Sequence, residues 1–147
     1  MIMHRSLPLA LTLLVALLLS GCSPAQKIVG KWELDMEKTM ASVAGDGPMA
    51  SMLAMAASQS KLEMEFRGDG NWSMQASTPG KSTQTDGSWR FVKAEDDTLV
   101  LMLKLNNETK ENELRVKVID DNSIEFAPTT TALMGAKALP FRRVTKT

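Results

Sequence analysis

From Lys61 to the end of the chain, apolar and polar residues alternate in short runs, and turn-forming residues separate the runs. A period of two sends successive side chains to opposite faces of a strand, so this stretch is suited to a sheet with one apolar face. Leu62, Met64 and Phe66 alternate with charged residues, and Gly68-Asp69-Gly70-Asn71 then turns the chain. Trp72, Met74 and Ala76 form the next run, ended by Pro79-Gly80. A segment from Lys81 to Lys93 is polar first and then carries Trp89 and Phe91, with a turn at Ala94 to Asp97. Leu99, Leu101, Leu103 and Leu105 alternate with Val100, Met102 and Lys104, as in a strand covered on both faces for part of its length. Leu114, Val116 and Val118 follow a polar hairpin, and Asp120-Asp121-Asn122 leads into Ser123 to Ala127. Pro128 to Lys137 reads as a looser connection before a last strand from Leu139 to Val144.

Upstream, Ile28, Gly30, Trp32 and Leu34 share one face of a first strand. The expected fold is therefore mainly β, an antiparallel meander of about eight strands forming a barrel or half-barrel. Closing the sheet removes the exposed edges that a meander must otherwise protect. Met36 to Ser60 breaks the alternation. It is rich in Met, Ala and Ser and poor in β-branched residues, which favours helix. Gly45-Asp46-Gly47-Pro48 divides it, and Pro48 is placed to open a second helix running to about Gln59. This predicts a helical insertion between strands 1 and 2, a lid over about 36–60.

The N-terminus has a different character. Arg5 precedes a run from Leu7 to Leu19 that is apolar except for Pro8 and Thr12. A run of about 13 residues is too short to span a bilayer as a helix, which needs roughly 20. Its length, its positive start and the small residues at its end fit a secretory signal. Leu19-Ser20-Gly21-Cys22 resembles a bacterial lipobox. Small residues at Ser20 and Gly21 would admit a peptidase, and the Cys22 thiol would take a diacylglyceryl group as a thioether. The resemblance implies a signal peptide over 1–21, a lipidated tether over 22–27 and one domain over 28–147. It also implies a partner, the membrane, entered through acyl chains on Cys22. Ser23, rather than Asp, follows the cysteine, and the enteric sorting rule then places the protein on the periplasmic face of the outer membrane.

Composition narrows the chemistry. Charges balance at 17 basic and 17 acidic, and loss of Arg5 with the signal leaves 16 against 17. Such a domain lacks the basic footprint of a nucleic-acid binder. The single His is His4 in the signal, the single Cys is Cys22, and there is no Tyr. The exported domain thus has no residues for Ser-His-Asp or Cys-His catalysis, nor for zinc held by His or Cys. The sequence points to no enzyme, no cofactor and no dedicated metal site.

Gly-x-Trp occurs three times, as Gly30-Lys31-Trp32, Gly70-Asn71-Trp72 and Gly87-Ser88-Trp89, and holds every Trp. On these triplets, and on the ending Phe141-Arg142-Arg143, the chain resembles the lipocalin-like small β-barrels, in particular short bacterial lipocalin-like domains borne on lipoproteins. The resemblance covers most of Ile28 to Val144, and the lipocalin disulfide cysteines are missing. It implies that Arg143, with Arg142 second, packs over Trp32 at the barrel floor. A guanidinium over an indole adds roughly 0.5–2 kcal/mol.

Met49, Met52 and Met55 recur three apart and share a helix side. Their thioethers could select Cu(I), but flexible packing against varied apolar partners is the plainer use. Aspartates 69, 86, 96, 97, 120 and 121 fall near turns, which turn chemistry explains. Ser77, Thr78, Ser82, Thr83 and Thr85 read as a solvated strand and loop. The leading expectation is a non-enzymatic, membrane-anchored envelope protein that binds a small apolar ligand or lipid, lined by Met49, Met52, Met55, Met64 and Met74. The alternative is a filled-core module that binds another envelope protein through a strand edge or the helical face. A second alternative is Met-based copper binding.

Overall fold

A computed structural model describes residues 23–43, 55, 58–127 and 138–145. A short 3-10 turn, Pro24–Lys27, precedes β1 (Gly30–Leu34) and α1 (Met36–Val43). Then come β2 (Lys61–Phe66), β3 (Asn71–Thr78), β4 (Lys81–Glu95) and β5 (Thr98–Leu105). The last three strands are β6 (Glu111–Asp120), β7 (Ser123–Phe126) and β8 (Leu139–Arg143). Each strand pairs antiparallel with its sequence neighbour, and β8 returns to β1 to close a barrel of eight strands.

Connections alternate between the two ends of the barrel. One end, the floor, holds the entering 3-10 turn and the β2–β3, β4–β5 and β6–β7 turns. The other, the mouth, holds the β1–β2, β3–β4, β5–β6 and β7–β8 connections. Asp69 and Asp120 do turn work at the floor, accepting hydrogen bonds from the backbone N–H groups of Asn71 (3.0 Å) and Asn122 (2.7 Å). At the mouth, Asp35 caps α1. Its carboxylate accepts from the Lys38 N–H at 3.1 Å and its carbonyl from Thr39 at 2.9 Å.

Alternation decides what lies inside. Trp32, Met64, Phe66, Trp72, Leu99, Leu101, Leu114, Val116, Ile124, Phe126 and Phe141 form a continuous buried core with Ile28 and Leu139. Val100 is also buried, although it faces outward with Lys93 and Arg115 as its cross-strand partners. The Lys93–Glu95–Arg115–Glu113 chain of ion pairs runs across that same outer face. Aliphatic stems of long charged side chains cover apolar surface well, which fits the two-sided β5 that the leucine pattern foretold.

β4 and β6 each divide their pairing between two neighbours, β6 with only Val116 and Lys117 paired on both sides, and β4 is the longer of the two. The first half of β4 pairs with β3 from Lys81 to Ser88, and its second half pairs with β5 from Gly87 to Glu95. Within β4 only Gly87 and Ser88 are paired on both sides. A register shift between Phe91 and Lys93 adds a bulge farther along.

Some boundaries differ from the sequence reading. Residues 24–27, read as tether, form a 3-10 turn docked on the floor rather than a free linker. β4 and β6 run longer than their apolar stretches because backbone pairing continues through exposed polar residues. The expected second helix lies almost wholly outside the described residues.

Candidate functional site

The floor is built around Trp32, which is fully buried. Its indole N–H donates to the Ile28 carbonyl at 2.8 Å. The Arg143 guanidinium carbon lies 4.2 Å from the ring centroid. Arg143 also donates to the carbonyls of Lys27 (2.9 Å), Val29 (2.8 Å) and Asp121 (2.8 Å). One side chain thus binds the entering chain, the β6–β7 turn and the barrel wall together. Gly30 has φ +137°, and a Cβ there would meet the same guanidinium. That is the physical reason for glycine at the start of the first triplet.

Arg142, expected as the second arginine on Trp32, is turned away. Adjacent strand residues point to opposite faces, and Arg142 sits outside near Glu33, at 3.7 Å. The expectation for Arg142 is therefore corrected.

The three tryptophans divide by their N–H groups. Trp32 donates to Ile28, and Trp89 donates to the Arg67 carbonyl at 2.9 Å while meeting Phe66 edge-on at 5.6 Å. Trp72 is 5% exposed, and among the described residues its N–H has no partner. A Cβ at Gly87 would lie 2.6 Å from that nitrogen and would also strike the Lys104 carbonyl. The indole edge therefore lies against bare backbone on the inner wall, where β4 passes from β3 to β5. A buried unpaired donor costs about 1–3 kcal/mol.

Toward the mouth the inner wall changes character. Leu34, Leu62, Met74, Leu103 and Leu105 are only partly buried and pack against the core from above. Thr85 faces inward from β4 opposite Met74 and is half-buried. Trp89, Phe91 and Val118, nearer the floor, are partly buried too, around a centre filled by Trp32, Phe66, Trp72 and Phe141, and the mouth half offers half-covered apolar wall with Thr85 on it. Small-molecule sites have that composition.

The five expected methionines separate. Met64 is buried beside Trp32 in register, and Met74 is its cross-strand partner on β3. Met55 is 70% exposed, so it supplies no buried wall. Met49 and Met52 lie outside the described residues. Sequence reasoning missed Leu34, Leu62, Leu103 and Leu105 as a rim, and Thr85 on the same inner wall. The signal was their place at strand ends next to mouth turns, which needs the register as well as the period.

Other concavities lie elsewhere on the barrel. A groove of about 460 Å³ at the floor runs between the entering turn and the β4–β5 and β6–β7 turns, and its lining mixes apolar Pro24, Leu99, Val118 and Ile119 with Asp96 and Asp121. On the outer face, Glu63 sits between Lys31 (3.3 Å) and Lys61 (3.0 Å). Partial burial alone would raise its carboxyl, but hydrogen bonds from the two ammonium groups outweigh that and hold it below the usual range.

No protein-family model matches the chain, and no curated protein is detectably similar to it. No helix among the described residues is long and apolar enough to cross a membrane.

Proposed function

We propose that the protein is a lipid-anchored envelope protein of lipocalin-like type whose barrel mouth binds an apolar chain or other small apolar molecule. The single observation that carries this reading is the half-buried rim of Leu34, Leu62, Met74, Leu103 and Leu105 above a filled floor. The half-buried Thr85 hydroxyl lies on the same inner wall, opposite Met74, so the preferred ligand carries a polar group beside its apolar part, as a fatty acid does. The lipobox-like Leu19-Ser20-Gly21-Cys22 supports acylation at Cys22. Two or three acyl chains anchor stably where one does not.

Native mass spectrometry of the protein released from membranes tests the ligand. A mass beyond the acylated protein, lost on denaturation and identifiable as a lipid or apolar molecule, is the expected result. Leu62→Arg, at the rim, removes that extra mass without unfolding the barrel. A clean mass after incubation with lipid extract overturns the ligand reading.

The filled floor favours a second reading, an interaction module that binds another envelope protein. Because each strand has neighbours on both sides for at least part of its length, a strand-edge route among the described residues runs along the first halves of β4 and β6, which pair on one side only.

A further inference from the structure

We infer that the barrel stands with its floor against the membrane that holds the anchor, so that its mouth opens to the aqueous side and loads from there. The inference rests on the acylated Cys22 of the proposed function and adds the direction from which the ligand comes.

The described chain begins at Ser23, and it is engaged at once. The Ser23 carbonyl accepts from the Gln26 N–H at 2.8 Å, and the Ala25 carbonyl accepts from the Ile28 N–H at 3.2 Å. Pro24–Lys27 is thereby a closed 3-10 turn. Arg143 then grips the Lys27 and Val29 carbonyls at 2.9 Å and 2.8 Å, and Ile28 is fully buried in the floor. No free linker separates Cys22 from the fold. One residue extends the chain by at most about 3.6 Å, so an anchor at Cys22 would hold the floor close to the membrane.

Three hairpin turns share that floor, and their charges are mixed. Asp69, Asp96, Asp97, Asp120 and Asp121 sit among Lys27, Arg67, Lys117 and Arg142. Neither a strong pull nor a strong push on anionic headgroups is built in, and the short attachment sets the geometry.

The apolar rim is at the opposite end. β3, eight residues long, rises from floor to mouth. At about 3.3 Å per residue and a tilt near 40°, that is roughly 20 Å along the barrel axis. Acyl chains in the anchoring leaflet lie below the headgroups, on the far side of the floor from Leu34, Leu62 and Leu105. A ligand drawn from that leaflet would have to travel the outer wall, past the polar face of Lys31, Glu63 and Glu65. The barrel therefore faces a carrier, an opposing membrane or free ligand in the aqueous space.

The test uses the full acylated protein in vesicles of deuterated phospholipid carrying headgroup quenchers. Asn122→Cys places a fluorophore on the floor turn and Asn107→Cys places one on the mouth turn. Several-fold quenching at 122 with little at 107 is expected; equal or reversed quenching overturns the orientation. An undeuterated long-chain fatty acid is then added to the aqueous phase, and the bound mass is read by native mass spectrometry. An undeuterated occupant is expected, and a deuterated one overturns aqueous loading. If the purified chain carries no acyl mass on Cys22, the anchor reading falls and the inference falls with it. If quenching is as expected but nothing binds, the orientation stands, and the ligand reading falls together with aqueous loading.

Discussion

Arg143 concentrates more of the fold than any other residue. It stacks on Trp32 and donates to three carbonyls from separate parts of the chain. Arg143→Met keeps much of the stem but leaves those carbonyls without that donor and removes the cation over the ring. A loss of about 2–4 kcal/mol is expected, measured as a lower urea midpoint with an unchanged slope. Arg142→Met, one residue away on the outer face, should cost little. Gly87→Ala should be costly for a different reason, because its Cβ would collide with the Lys104 backbone and the Trp72 nitrogen. Overpacking of this kind costs about 1–3 kcal/mol. The Trp32–Arg143 pairing was legible because both residues sit in short motifs, Gly30-Lys31-Trp32 and Phe141-Arg142-Arg143, at the first and last strands. The unpaired N–H of Trp72 was not, since three identical Gly-x-Trp triplets look alike until the register places each indole edge.

Among the strands, alternation made most of the sheet readable. β2, β3 and β5 show it cleanly, and their turns carry Gly, Asp or Asn. β4 was harder. Its first half is polar on both faces, so no apolar period announces a strand there, and only pairing to β3 defines it. The 3-10 turn was invisible for a similar reason, because a docked backbone leaves no mark in hydropathy. Outer-face carboxylates link these strands to pH. Hydrogen bonds from Lys93 hold Glu95 below its ordinary range, and those from Arg90 do the same for Glu111 across β4 and β6. Carboxyls depressed in the fold stabilise it at neutral pH, and that contribution is lost as pH falls through the carboxylate range. The thermal midpoint should therefore fall between about pH 5 and pH 3, and salt should blunt the effect because the pairs are exposed. Glu111→Gln should lessen the slope.

For the whole molecule, the two ends are built differently. The floor is packed with rings and tied by hydrogen bonds, while the mouth keeps apolar wall half-covered. A substitution at the floor should change stability first, and one at the mouth should change occupancy first. Met74→Ala and Leu105→Ala are expected to weaken binding of a long-chain fatty acid several-fold with a modest loss of stability. Equal losses of both would argue that the mouth, too, is ordinary core. The barrel's closure was foreseeable from the number of strands, but the division into filled and open halves was not, since strand tilt and stagger decide which leucines reach the rim.

The passage of β4 from one neighbour to the other has a consequence in time. In antiparallel pairs, alternate residues aim both backbone groups to the same side. The Trp89 N–H reaches Gly70 on the β3 side, and the Asp86 carbonyl accepts from Asn106 on the β5 side. By that alternation Thr83 and Thr85 are bonded to β3, while Ser82 and Gln84 aim their N–H groups past the end of β5. Deuterium should therefore enter at Ser82 and Gln84 within seconds while Thr83 and Thr85, interleaved with them, exchange far more slowly. A comb of fast and slow amides along these four residues would mark a frayed margin of the barrel. Its slow teeth would report how often the rim of the mouth opens.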